Sequence, residues 1–304
     1  MERYRTLVMD SARWAGFEHR PGDIVISTPA KCGTTWTQML VALMVFDGPD
    51  FPAPLDLISP WLDMCNRTVD DVTQDLDVQT HRRFVKTHTP LDGLPLHDGV
   101  TYVVVGRDPR DVSVSMDHHR RNMDFDHFFE LRAEVMGLDD LPERARPDPP
   151  PTADEQMAVF LHGNEIGALA SIVHHLDDAW SRQATSDVVL VHYADLVTDL
   201  PGEMLRLAGA LGIPLSDARA RELSAHASLE AMRARAGELA PVASHANWRD
   251  NGAFFRSGTV GEGRAAMSAD HRAAYDARLA ALVAPRIGAW IDAGRIASEV
   301  DPAA

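Results

Sequence analysis

The chain has 304 residues, 45% of them hydrophobic and 24% charged, with 29 Lys and Arg against 45 Asp and Glu for a formal net charge of −16. A chain of this length hides roughly three quarters of its unfolded surface on folding, and the composition excludes collagen, coiled coils and disordered chains. The acidic balance argues against broad electrostatic binding to nucleic acid or anionic membrane, so an anionic ligand must be gripped by a local cluster of donors. Two cysteines, Cys32 and Cys65, are too few for a disulfide framework and fit a reducing compartment. Met1 to Asp10 has no continuous apolar stretch, and the longest apolar run, Met39 to Phe46, is far short of a span. A soluble, cytoplasmic protein without integral membrane association is expected.

In chain order, Asp23 to Thr28 is a β-branched run between Pro21-Gly22 and Pro29 and predicts a buried strand. Thr34 to Phe46 lacks Pro and Gly and stops at Asp47-Gly48-Pro49, the pattern of a helix with a stop signal. Arg83 to Thr87 and Tyr102 to Val105 predict two more strands, and Asp108 with Pro109 forms the start of a helix. Five prolines between Leu141 and Pro151 mark a surface excursion over 141–151. Helical patterning resumes from Glu155 to Arg182, Asp187 to Tyr193 predicts a strand, and Pro201 to Leu211 and Ser216 to Arg235 predict amphipathic helices. Gly237 to Arg264 has little periodicity and four later glycines, which predicts a long, flexible functional loop over 237–264. A last helix is expected from Ala269 to Ile296. Strands alternating with helices predict an α/β fold, one domain over 1–304 with a central parallel sheet flanked by helices.

Four stretches carry chemistry. Thr28-Pro29-Ala30-Lys31-Cys32-Gly33-Thr34-Thr35-Trp36 follows a strand and opens a helix, so its backbone N–H groups and Lys31 form a P-loop-like anion cradle. The ordinary P-loop spacing is not met, because Lys31 precedes Gly33, and a plain strand-to-helix turn is the alternative. Arg107 at the carboxyl edge of its strand and Ser115 two turns into the next helix can converge on one anion, or Arg107 can belong to an Arg–Asp surface network. Lys86 and His88, two apart at a strand end, suit proton abstraction beside developing negative charge. Among the 14 histidines, His118, His119, His174 and His175 read as structural or solvated. Phe254 to Arg264 is basic and Gly-rich, either a cover for a phosphorylated ligand or a linker.

Taken together these motifs resemble those of sulfotransferases that use 3′-phosphoadenosine 5′-phosphosulfate (PAPS). Lys31-Cys32-Gly33-Thr34-Thr35-Trp36 resembles the family's 5′-phosphosulfate loop and Lys86-Thr87-His88 its catalytic-histidine strand. Arg107 with Ser115 resembles its 3′-phosphate motif, and Arg256-Ser257-Gly258 to Gly261 its C-terminal loop. Ser59 to Asp63 and Arg82 to Leu94 look like an actinobacterial branch associated with glycolipid sulfation.

The resemblance implies that Lys31 to Thr35 hold the 5′-phosphosulfate and that Trp36 encloses the adenine. It implies that Arg107, Ser115, Arg256, Ser257 and Gly258 bind the 3′-phosphate, that Tyr193 and Ser228 lie near the adenine, and that His88 is the general base with Lys31 and Lys86 as charge stabilisers. The motifs require no metal, PAP is the product, and the acceptor is a small or lipidic alcohol held near Trp61, Phe125 to Phe129 and the late loop. Two features depart from the family pattern. Cys32 replaces a small Ser, and Gly263-Arg264 stands where Trp-Lys is usual, with the usual dimerisation motif absent beyond it, so the oligomeric state stays open. The rival readings are a P-loop-type kinase and a nucleotide-binding protein that has lost turnover.

Overall fold

A computed structural model of the chain describes residues 1–139, 152–184, 187–240 and 248–303. Four short strands, β1 (Ile24–Ser27), β2 (Phe84–Thr87), β3 (Thr101–Gly106) and β4 (Val188–His192), form one parallel sheet in the order β2-β1-β3-β4. Ile26 sits between Lys86 on one side and Val103 on the other, and Val104 pairs with Leu190. Every residue of β1 and β2 is buried, as expected of strands covered on both faces. Alternate side chains divide between two cores. Val25, Val85, Tyr102 and Val104 join one cluster, and Ile24, Ile26, Phe84 and Val103 the other. After β1 the chain crosses to β2 on one side and then to β3 on the other, so β1 and β3 flank a switch point whose carboxyl end is the usual ligand crevice.

The helix after β1 runs Thr34–Val45 and is buried on nearly every side, in keeping with its uniformly apolar sequence. The helix after β3 runs Pro109–Asn122, with Asp108 accepting from the Arg110 N–H and Pro109 in the first turn.

Three expected long helices are each two. Ala153–His162 and Leu169–Arg182 are separated by a stretch with Gly163 and left-handed Gly167, and Thr152 with Glu155 makes a capping box for the first. Asp217–His226 and Leu229–Ala234 are separated at Ser228, whose hydroxyl caps the second. Ala269–Leu282 and Pro285–Ser298 meet at Pro285, which lacks an N–H and therefore starts a helix where continuous periodicity suggested none. Tyr193 opens a short helix, Tyr193–Thr198, because the His192 side chain turns back to accept from the Ala194 N–H.

The expected excursion over 141–151 lies outside the described residues, as does 241–247 within the late loop. Where described, the late loop carries a turn of helix at Gly252–Phe254 and a short helix at Glu262–Ala266. It is tied down rather than free: the Asp111 carboxylate accepts from the Gly261 and Gly263 N–H groups at 2.8 and 2.7 Å. Arg233 donates to the carbonyls of Phe255 and Arg256.

Candidate active site

The carboxyl ends of all four strands converge on one cavity of about 1740 Å³, larger than a typical single-ligand pocket. Lys31, Gly33, Thr34, Thr35 and Trp36 after β1, Lys86 and His88 at β2, Arg107 and Ser115 after β3, and Tyr193 after β4 all line it. Arg256, Ser257 and Gly258 of the late loop line it too.

The turn after β1 is held in an unusual shape. Lys31 has a left-handed backbone with φ 68°, rare for a residue with a side chain, and Gly33 follows at φ 107°. A Cβ at Gly33 would lie 3.0 Å from the Tyr193 ring, so glycine meets both the dihedral and the space available. Gly33 is also the N-cap of the Thr34–Val45 helix and offers no capping side chain, which leaves the first-turn N–H groups available to an anion.

Cys32 behaves differently from its neighbours. Its side chain is fully buried in the core, its N–H donates to the Pro29 carbonyl, and it does not line the cavity. Burial pushes its thiol up to about 12, which removes the thiolate that a nucleophilic role would need.

His88 sits just beyond β2. Its Nδ1 lies 2.8 Å from the Thr28 carbonyl oxygen, which can only accept, so Nδ1 carries the proton and Nε2 keeps its lone pair. The Trp61 ring packs edge-on at 4.6 Å between centroids. Burial, then the charge of Lys86, push the imidazole down to about 3, with the Thr28 contact opposing them. Burial likewise lowers Lys86 to about 8 and Lys31 to about 7, with Arg107 the leading charge acting on Lys31.

Arg107 donates to the Lys31 and Thr259 carbonyls, both at 3.2 Å, and stacks 4.2 Å above the Tyr193 ring, while its buried Nε has no partner among the described residues. Among the described residues Lys31, Lys86 and Arg107 contact carbonyls, rings or an imidazole but no carboxylate. In a chain of net charge −16, half-buried Lys31 and buried Lys86 and Arg107 gather in one crevice, and of the three Lys86 alone feels nearby carboxylates, Asp56 and Asp63; such a cluster suits an anion. Arg256, by contrast, is paired with both oxygens of Glu262.

Trp36 and Tyr193 pack edge to face at 5.2 Å, and the Trp36 indole N–H is committed to the Ala227 carbonyl. Ser228 is exposed and spends its hydroxyl on the Ala231 N–H; its neighbours Ala227 and Leu229 line the cavity in its place.

The departure at Gly263 has a steric reason. A Cβ there would lie 2.1 Å from the backbone carbon and oxygen of Arg110, so the late loop docks on the Pro109–Asn122 helix only with glycine at this point. The loop is thus refitted, not damaged.

Several site residues escaped the sequence reading. His119 lines the cavity with Nδ1 3.4 Å from Lys31 Nζ. Asp63 is fully buried and accepts from the hydroxyls of Thr87 and Thr89, the two neighbours of His88, at 2.7 and 2.6 Å. Phe125 and Phe128, from the stretch Phe125 to Phe129 that the sequence singles out, join Met64 and Met123 in a third apolar cluster with Leu7 and Trp248; Leu7, Met64, Met123, Phe125 and Trp248 line the other wall, with Phe128 buried behind them. His175, in contrast, is a buried structural histidine on the Ser27 hydroxyl, as expected.

The family model described as a sulfotransferase domain matches residues 21–284. A glycolipid sulfotransferase of Mycobacterium bovis is 44% identical over 313 residues, covering 96% of this chain and 94% of that protein. One of Mycobacterium tuberculosis is 43% identical over 315 residues with the same coverage. The crystal structure of retinol dehydratase with androsterone and the inactive cofactor PAP has the same fold, with a TM-score of 0.71 at 23% identity over 90% of this chain and 84% of that one. Sequence, sheet order and anion crevice agree: the chain belongs to the family of PAPS-dependent sulfotransferases.

Proposed function

We propose that the enzyme moves a sulfuryl group from PAPS to a hydroxyl of an apolar, lipidic alcohol, with His88 as general base. The observation that carries this reading is that Lys31, Lys86 and Arg107, none of them hydrogen-bonded to a carboxylate among the described residues, line one cavity together with His88, whose Nδ1 is committed to the Thr28 carbonyl. PAPS supplies an activated sulfuryl group on a phosphate leaving group. Lys31 and the helix start at Thr34 and Thr35 hold the 5′ end, Arg107 and Ser115 take the 3′-phosphate, and Trp36 with Tyr193 flank the adenine. Arg256, Ser257 and Gly258 close over the 3′ end, with Arg256 shared between Glu262 and the ligand.

The acceptor hydroxyl gives its proton to His88 Nε2 as its oxygen bonds to sulfur and the sulfur–phosphate oxygen bond breaks. The electron pair goes to the departing phosphate, where Lys31 and Lys86 neutralise it. The resting imidazole is a weak base chiefly because it is desolvated and further because Lys86 and Lys31 act on it, and anionic groups entering beside the lysines relieve the part that comes from charge. The acceptor class follows from the wall of Met64, Met123, Phe125 and Trp248, and it agrees with the glycolipid named for the mycobacterial relatives. Both cysteines are free and buried, which supports a cytoplasmic setting, and among the described residues no helix is long and apolar enough to cross a membrane.

The experiment is transfer of labelled sulfate from PAPS to a series of hydroxylated lipids, sugars and phenols, without metal. Transfer favouring apolar alcohols is expected. PAPS binding with no turnover on any acceptor would leave only the nucleotide-binding reading, and phosphoryl transfer from ATP would favour the kinase.

A further inference from the structure

His119 lies on the Pro109–Asn122 helix one turn beyond Ser115, on the same face, and joins the two halves of the cavity. On the donor side its Nδ1 is 3.4 Å from Lys31 Nζ, the one polar side-chain contact Lys31 makes among the described residues. On the acceptor side its ring meets Trp248 at 4.8 Å and Phe254 at 6.2 Å between centroids, and the Phe254 ring lies 4.3 Å from the same ammonium. The imidazole is thus clamped by aromatic rings and aimed at the lysine.

We propose that His119 is a positioning residue for Lys31: its Nδ1 accepts from the ammonium and holds it charged at the phosphosulfate turn. The inference rests on the reading of that turn as the PAPS site. Charge explains why an imidazole suits the position. Burial first, then the charges of Arg107, Lys86 and Arg256, favour loss of a proton from Lys31, and the neutral thiol of Cys32 offers little to oppose them. A carboxylate there would hold the ammonium but repel an incoming phosphosulfate, whereas a neutral acceptor stabilises the cation without adding negative charge. His119 stays neutral, because burial, Lys31, His88, Lys86 and Arg120 all disfavour its protonation. It is no second base, since its Nδ1 lone pair is engaged by Lys31.

The test is the affinity for PAP, read by calorimetry from pH 5.5 to 9 in the full-length protein. His119→Phe keeps a ring between Trp248 and Phe254 and removes the acceptor; His119→Gln restores a carboxamide oxygen. Losing the acceptor lowers the Lys31 pKa, so the charged form that grips phosphate is lost at lower pH. Wild type and His119→Phe should coincide below about pH 6 and separate to about fivefold weaker binding in the variant above pH 8, the factor for one lost hydrogen bond. Phosphates of PAP and Lys86 titrate in both proteins and cancel in the comparison. His119→Gln should recover most of the difference. Superimposable curves for wild type and His119→Phe overturn the role of His119 while leaving the PAPS reading intact. A wild type that does not bind PAP overturns both. Should the Phe variant not fold, His119→Met fills the site without a strong acceptor, and the same two outcomes decide.

Discussion

The two halves of the cavity are built by opposite means. On the donor side, Lys31 to Trp36 and Arg107 to Ser115 each form one continuous segment in which a strand end, a turn and a helix start act together. Most binding groups there are backbone N–H groups or cations fixed within a few residues of a strand. On the acceptor side, Thr6 to Met9, Trp61 and Met64, Met123 and Phe125, and Trp248 come from four separate stretches. Single bridges connect those stretches, Met9 to Met64 and Met123 to Trp248, rather than a ladder. The polar half is therefore set locally and rigidly, while the apolar half is set by tertiary packing around flexible methionines, which suits an acceptor of variable shape. The division predicts that changes on one side alter donor affinity and changes on the other alter acceptor affinity, with His88 between them altering only the rate.

The largest effect should follow loss of the residue on the boundary. His88→Ala should lower the turnover rate by about two to four orders of magnitude with PAP affinity nearly unchanged, measured by single-turnover sulfate transfer and calorimetry. Parallel loss of PAP affinity would mean that His88 supports the donor turn through its contact with Thr28 instead of acting as a base.

Arg107→Ala comes next. A charge-assisted contact to phosphate is worth roughly 1.5–3 kcal/mol, so PAP should bind about ten- to a hundredfold more weakly. Adenosine 5′-phosphosulfate lacks the 3′-phosphate and should hardly notice the change. Equal weakening of both ligands would show that Arg107 acts by bracing the Lys31 and Thr259 carbonyls, a role its present hydrogen bonds also permit.

Phe125→Ala sharpens the comparison from the other side. Phe125 packs on the third apolar cluster without being fully buried, so its removal should raise the KM of a long-chain alcohol by about tenfold, the scale for losing part of an apolar wall, and leave PAP binding alone. A change in PAP affinity would join the two halves into one.

The same division explains what could be read from the sequence. The parallel sheet and the gathering of Lys31, His88 and Arg107 at one cavity were legible because strand, turn and helix signals and the chemically able groups share short segments. Lys31, His88 and Arg107 follow directly from their strand ends. His119 was not, because one helix turn carries two adjacent histidines and only tertiary packing decides that His119 meets Lys31 while His118 stays exposed. Asp63 escaped for a similar reason: its partners Thr87 and Thr89 are more than twenty residues away. Helix breaks at Ser228 and Pro285 were masked by apolar spacing that runs on in phase across them, although Pro285 itself carried the signal. Gly263 read as a defect because its use is steric, against the Arg110 backbone, and space is invisible in one dimension.

The smallest effect concerns Arg256, a cavity-lining cation that, unlike Lys31 and Arg107, is already paired with a carboxylate within the protein. Its guanidinium is held by both oxygens of Glu262, and the two side chains are 31% and 35% exposed, so the pair is screened and worth only about 0.2–1 kcal/mol. To serve the 3′-phosphate, Arg256 must share itself with Glu262 or leave it. Glu262→Gln keeps the shape and the acceptor for the Thr259 hydroxyl, while removing the competing charge. If Arg256 is drawn to phosphate, this variant should bind PAP about two- to fivefold more tightly, the factor matching that energy, with adenosine 5′-phosphosulfate unaffected. Weaker PAP binding would instead show that the pair orders the loop between Arg256 and Glu262, and that Arg107 alone among the arginines recognises the 3′-phosphate. The sign of a small change thus decides whether the late loop belongs to the donor half by charge or only by shape.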